Sequence, residues 1–378
     1  MQTVNATLNI PFVDLKAQYQ SIKPEIDAAV KAVIDQTAFV GGTFVKDFEE
    51  AFARYCRAKY CVGLANGTDA LFVALKTLGI GPGDEVITVA NSFVATSEAI
   101  KMAGAQVVFV DINPRTYTID VNQIEKKITA KTKAIMPVHL YGQPADMDPI
   151  QALAKKHGLF VIGDAAQAHG AQYKGQAISK FADITCFSFY PGKNLGAYGD
   201  AGALVTNNEE WALNARMFAN HGRTKKYDHD LEGVNSRLDG LQAAILSVKL
   251  PHLDAWTENR RDNAYRYNEQ LKGIGVVTPE ELDDVRAVYH LYIVRVPNGA
   301  RDELRDFLKA NGIEAGIHYP IALPFLNAYR HLNHTAEEFP ESLKASQEIL
   351  SLPMFPELSD EQRTVVVETI RRFFLNRV

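Results

Sequence analysis

At 378 residues, 47% of them apolar, the chain is long enough for one large or two moderate domains with a sizeable core. A net charge of −5, without a block of five or more like charges, argues against nucleic acid or an anionic membrane as the main partner. Three cysteines without C-x-x-C spacing, a start at Met1–Ala6 lacking a basic-then-apolar leader, and no apolar run near the ~20 residues of a membrane span predict a soluble, cytoplasmic protein.

Apolar runs rich in β-branched residues recur with helical patterns between them. They predict strands at Tyr60–Leu64, Glu85–Val89, Gln106–Val110, Lys133–Val138, Leu159–Gly163, Ile184–Ser188 and Ala203–Thr206. Helices are predicted at Asp69–Leu78, Val94–Met102, Asp148–His157 and Glu209–Asn220. This alternation implies an α/β fold, a mostly parallel seven-stranded sheet with helices on both faces. From Arg237 a helical pattern runs to about Leu271, and Pro251 is expected to end or kink it. A strand at Tyr289–Val296 and helices at Arg301–Asn311 and Asp360–Phe374 then predict a smaller α+β unit. The expected division is 1–250 and 251–378.

In such sheets ligands sit outside the carboxyl ends of the strands, and several unusual residues fall on that edge. Leu159-Phe-Val-Ile-Gly-Asp164 ends a buried-strand pattern on an acid, followed by Gln167 and His169. The next strand runs into Ser188-Phe-Tyr-Pro-Gly-Lys-Asn-Leu-Gly-Ala-Tyr-Gly-Asp-Ala-Gly202, a loop of small and turn-forming residues that presents Lys193. Asp164 alone reads as a helix cap. Joined to Lys193 it matches the needs of a pyridoxal phosphate site, where a lysine forms a Schiff base with the aldehyde and a carboxylate pairs with the protonated ring nitrogen. Asn66-Gly-Thr-Asp-Ala-Leu71 opens a helix whose free N–H groups and dipole suit an anion, while Thr68 or Asp69 serve equally as ordinary caps. In Asn91-Ser-Phe-Val-Ala-Thr96, Phe93 reads unaided as a core residue. The ten histidines show no ligand spacing, so no metal is expected.

From Ile10-Pro-Phe-Val-Asp-Leu-Lys16 to Leu352-Pro-Met-Phe-Pro356 these motifs resemble the DegT/DnrJ/EryC1/StrS group of nucleotide-sugar aminotransferases, of the fold-type-I pyridoxal phosphate class. The resemblance implies that the amides around Gly67 and Thr68, with the Ser188 hydroxyl, hold the cofactor phosphate. It implies further that Phe93 stacks on the ring, Asp164 pairs with its nitrogen and Gln167 bonds its phenolic oxygen. Lys193 becomes the attachment point and the proton-moving base, in an enzyme that alternates between pyridoxal and pyridoxamine phosphate. Related dehydratases carry histidine there, so the lysine speaks for transamination. Gly233-Val-Asn-Ser-Arg-Leu-Asp-Gly-Leu-Gln242 matches a stretch in which the asparagine, Asn235, reaches the phosphate of the neighbouring subunit, implying a homodimer with shared sites.

On the substrate side the expected contacts are Tyr190, Lys225 and Tyr227 of the basic-aromatic loop His221–Tyr227, and His318 and Tyr319 of Gly316-Ile-His-Tyr-Pro320. From residues alone, His221–Tyr227 reads equally as a solvated loop. The implied reaction moves an amino group from glutamate, leaving 2-oxoglutarate, to a nucleotide-linked keto-sugar in amino-sugar biosynthesis. Tyr190 stands where enzymes acting at C4 more often carry histidine. This favours a 3-keto substrate, a dTDP-linked 6-deoxy sugar first and a UDP-linked sugar second. The alternatives are a pyridoxamine-dependent dehydratase and a non-catalytic regulatory or binding protein.

Overall fold

The β-branched runs pair into one seven-stranded sheet in a computed structural model that describes residues 9–377; the reading made at Met1–Ala6 lies outside the described residues. Its strands are β1 (Tyr60–Leu64), β2 (Glu85–Val89), β3 (Gln106–Val110), β4 (Thr132–Met136), β5 (Phe160–Asp164), β6 (Ile184–Ser188) and β7 (Gly202–Thr206). They lie in the order β3-β2-β4-β5-β6-β7-β1. All pairs are parallel except those of β7, which is antiparallel to both β6 and β1. Alternation along a strand sends neighbouring residues to opposite faces. Ile184, Cys186 and Leu204 accordingly pack in one apolar cluster, and Phe187, Ala203 and Val205 in another. Burial on both faces explains why these strands read as nearly unbroken apolar runs.

The ends of the elements differ from expectation for local reasons. β4 stops at Met136 because Pro137 has no N–H to continue the ladder, and the Pro137 carbonyl instead accepts from Asp164 N–H at 2.9 Å. That bond carries β5 one residue further, to Asp164. The helix expected from Asp69 spans Gly67–Thr77, capped by Asn66 Oδ1 on the Asp69 N–H at 2.8 Å. At Pro251 the helix Gly240–Lys249 gives way to a 3-10 turn, Leu250–His252, and resumes as Leu253–Gln270. Helices Leu15–Ser21, Lys23–Asp35 and Gly42–Tyr55 had no counterpart in the pattern.

The C-terminal strand is shorter than Tyr289–Val296. Tyr289 has φ 42°, outside extended geometry, and β8 (Tyr292–Arg295) pairs antiparallel with β9 (Ile349–Leu352). Tyr267, Tyr292, Leu304, Leu308 and Ile370 form its apolar cluster, which also takes in Ile10. Ile10 N–H donates to the Gly312 carbonyl at 2.8 Å, so the N-terminal segment crosses the division expected at 250. Among the described residues no helix is long and apolar enough to cross a membrane.

Helix Pro340–Glu348 is moored to the end of β3 by one buried carboxylate. Asp111 accepts from the N–H groups of Glu341 at 2.9 Å, Ser342 at 2.8 Å and Ile112 at 2.8 Å. Asp111→Ala orphans these donors, and the expected loss is about 1–3 kcal/mol of folding stability. A lowered urea midpoint with unchanged slope will show it; an unmoved midpoint contradicts the mooring.

Candidate active site

The site forms where β5 and β6 end and the chain must pass close to itself. Gly202 opens β7 opposite both Leu64 and Ser188. A Cβ at Gly202 would lie 2.3 Å from the Asn66 carbonyl oxygen, and one at Gly67 would lie 2.5 Å from Ser188 Cβ. Two missing side chains therefore let the N-terminus of helix Gly67–Thr77 rest against the end of β6. Its first N–H groups and the Ser188 hydroxyl share one spot, an arrangement suited to an anion.

Asp164 and Lys193 stand beside it. Asp164 is 5% exposed; Oδ2 accepts from the Thr96 hydroxyl at 2.8 Å and Oδ1 from the Ala166 N–H at 3.1 Å. Burial raises its carboxyl above the usual range, opposed by these bonds and by the Lys193 charge. Burial likewise lowers the Lys193 amine to about 8, opposed by Asp164. Around the lysine, burial and then its charge lower His169 to about 3 and His318 to about 4, and hold His290 well below its ordinary value. His169 sits between the rings of Phe187 and Phe189, at 5.4 and 5.6 Å.

The loop that carries Lys193 is held from behind. Asn194 Nδ2 donates to the Val288 carbonyl at 2.9 Å, Lys249 Nζ to the Gly196 carbonyl at 2.7 Å, and Tyr198 N–H to Gln242 Oε1 at 2.8 Å. Lys249 is buried, with its ammonium 4.5 Å from the Tyr198 ring centre. The sequence offered one hint of this, a lysine inside the apolar run Ile245–Leu250.

The structure gathers Gln167, His318 and Tyr319 near this pair. Gln167 Nε2 donates to Tyr319 Oη at 3.1 Å, while its Oε1 accepts from the Tyr141 N–H at 2.6 Å. His318 Nδ1 lies 2.7 Å from Ser351 Oγ, and its ring stacks on Phe12 at 5.5 Å. Phe93, its ring 5.8 Å from that of Tyr319, is 53% exposed, and Tyr190 is 59% exposed, so the core reading of Phe93 is corrected. Asn235 lines a separate open cleft with Ala65, Gly199, Asp200 and Arg237. The loop expected at His221–Tyr227 is part of a two-stranded hairpin, Arg223–Lys225 against Asp228–His229, with Tyr227 81% exposed at its tip. Thr96, Tyr141 and Ser351 were not singled out by the sequence, since a hydroxyl gives no signal until its partner is known.

A model of the DegT/DnrJ/EryC1/StrS aminotransferase family matches residues 20–371. The chain is 50% identical over 370 residues to a pleiotropic regulatory protein of Geobacillus stearothermophilus, covering 97% of this chain and 99% of that one. It is 43% identical over 368 residues to a dTDP-3-amino-3,4,6-trideoxy-alpha-D-glucose transaminase of Streptomyces venezuelae, covering 97% of each. The crystal structure of S. venezuelae DesV in complex with ketimine intermediate matches with a TM-score of 0.95 and 42% identity, over 97% of this chain and 99% of that one. Matched over nearly its whole length in sequence and in fold, the chain belongs to the DegT/DnrJ/EryC1/StrS aminotransferase family.

Proposed function

We propose that this protein is a pyridoxal phosphate-dependent aminotransferase. It transfers the amino group of glutamate to C3 of a nucleotide-linked 3-keto-sugar, a dTDP-linked 6-deoxyhexose before a UDP-linked sugar. The observation that carries this reading is the buried Asp164 beside the half-buried Lys193, whose amine is desolvated, past neighbouring strand ends. Among the described residues no side-chain cation is hydrogen-bonded to Asp164, whose bonds come from Thr96 and Ala166. A buried carboxylate of that kind fits the protonated nitrogen of a pyridine ring. The spot shared by Ser188 and the first amides of helix Gly67–Thr77 fits a phosphate.

Pyridoxal phosphate, when bound, supplies an aldehyde that captures amines and a ring that takes up the electron pair left by a breaking C–H bond. The chain contributes binding and proton movement. Asp164 holds the ring nitrogen in its charged form, Phe93 sets the plane of the ring, and Gly67, Thr68 and Ser188 retain the phosphate. Lys193 Nζ, neutral often enough because desolvation has lowered it, takes the proton from the carbon of the amino donor and, in the second half of the reaction, gives a proton to C3 of the sugar. His169 and His318, held neutral, do not add a second positive charge beside it.

The same reading makes the protein a homodimer in which Asn235 reaches the phosphate in the site of the partner subunit, while Lys225 and Tyr227 contact the substrate. The exposure of Phe93 and Tyr190 and the separate cleft of Asn235 support it. It also divides the chain near residue 250, with His318 and Tyr319 of the smaller unit facing the sugar. Three free, buried cysteines suit a reducing cytoplasm. The name of the 50% identical relative favours one rival, a regulatory protein that makes no amine.

The deciding experiment supplies glutamate and a dTDP-linked 3-keto-6-deoxyhexose to the cofactor-loaded protein and follows both products by mass. Amino-sugar and 2-oxoglutarate in equal amounts are expected. Amination of the 4-keto isomer alone overturns the C3 assignment, and loss of a hydroxyl without gain of an amine points to a dehydratase. No turnover, with DNA binding at moderate salt, favours the regulatory rival.

Covalent capture of pyridoxal phosphate by the cofactor-free protein should speed up as pH rises through about 8, because only the neutral Lys193 amine attacks the aldehyde. A pH-independent rate from 6 to about 9 contradicts the lowered amine. Lys193→Ala should lose covalent capture yet retain weaker binding, while Asp164→Ala should cut turnover by orders of magnitude. Asn235→Ala should cost about 1–3 kcal/mol of cofactor binding, measured by equilibrium titration.

A further inference from the structure

The segment Val138–Gly142 has no part in the chemistry above, yet it touches residues on several sides of the site. Within it Tyr141 has φ 61° and ψ 5°, a left-handed conformation that a bulky residue adopts only where its surroundings enforce it. Its phenol donates to the His318 carbonyl and accepts from Asn91 Nδ2 at 3.4 Å. Its carbonyl accepts from the Leu291 N–H at 3.3 Å, and the next carbonyl, of Gly142, accepts from the Val288 N–H at 2.9 Å. Its N–H, turned by that conformation, donates to Gln167 Oε1 at 2.6 Å. Tyr141, Asn91 and Gln167 are all buried.

A backbone N–H can only donate, so it decides which end of the Gln167 carboxamide faces it. Oε1 turns toward Tyr141, and Nε2, the donor end, turns the other way, where it meets Tyr319 Oη at 3.1 Å. We propose that Tyr141 is a positioning residue. It keeps the donor end of Gln167 directed at the phenolic oxygen of the cofactor and couples that orientation to the segment carrying His318 and Tyr319. This rests on the preceding reading that pyridoxal phosphate binds beside Gln167. A donor there stabilises negative charge on the phenolic oxygen, so losing it raises the pH at which the cofactor chromophore titrates. Because the same phenol holds the His318 carbonyl, losing it also loosens the side of the site assigned to the sugar.

The test uses the full-length, cofactor-loaded protein and Tyr141→Phe, which keeps the ring and the backbone N–H but not the phenolic hydrogen bonds. Two quantities are read: the pH midpoint of the visible absorption band, and KM for the keto-sugar against KM for glutamate. The phenolic bonds help to hold Tyr141 in the left-handed conformation that aims its N–H at Gln167, so Tyr141→Phe is expected to raise the midpoint, in the same direction as Gln167→Ala but by less. It should also raise the sugar KM by about three- to tenfold, the effect of one lost hydrogen bond, with the glutamate KM little changed. A residue that merely fills the core would move neither the midpoint nor the ratio of the two KM values. If either stays at its original value in a variant that still shows the band, the inference is overturned alone. Absence of the band from the unaltered protein overturns both the inference and the reading beneath it.

Discussion

Asp164, buried, and Lys193, half-buried, are opposite charges drawn away from water past the ends of neighbouring strands, and such desolvation is costly unless partners offset it. Much of the surrounding structure sets how far each is offset. Thr96 and the Ala166 N–H support the carboxylate without neutralising it, which leaves it able to hold a cationic ring. Among the described residues the lysine amine has no hydrogen-bond partner, and desolvation lowers it to about 8 against the pull of Asp164. Neutral histidines, the buried His169 and the half-buried His290 and His318, complete a surrounding in which one proton can move without competition. The chemistry proposed for the chain is thus a consequence of unequal compensation of two desolvated charges.

Placing those charges requires a close approach of backbone that only two glycines permit. Gly202 lies under the Asn66 carbonyl and Gly67 against Ser188, so the ends of β1, β6 and β7 converge on one helix N-terminus. The antiparallel β7 makes this possible, because its first residue, rather than its last, meets the carboxyl ends of its neighbours. Lys249, Asn194 and Gln242 then fasten the Lys193 loop from the side away from the site. The anion spot, the acid and the lysine come from segments of very different sequence position, and rigid strands rather than the loops themselves hold them together.

The strands were legible because burial on both faces demands apolar, β-branched runs, and Asp164 and Lys193 were legible because polar residues end those runs. What escaped the sequence was every interaction whose partner lies far along the chain. One local contact also escaped it: Asn66, not Thr68 or Asp69, caps helix Gly67–Thr77. Lys249 stands out only as a lysine within an apolar run, and its partners, the Gly196 carbonyl and the Tyr198 ring, are about fifty residues away in the chain. Gln167 could be marked as polar and near Asp164, but the direction of its amide is decided by Tyr141, twenty-six residues upstream. Phe93 was legible only through resemblance, and Tyr190 through resemblance and its place three residues before Lys193, because their exposure gives composition and periodicity nothing to report.

The central claim, that Lys193 and Asp164 form a working pyridoxal phosphate site, is tested most directly by the absorption spectrum of the purified protein with added pyridoxal phosphate, before and after excess glutamate. The account expects a visible-edge band that gives way to a near-ultraviolet one on adding glutamate, and that is missing from Lys193→Ala. A protein that shows no such band, or whose band survives the loss of Lys193, contradicts it.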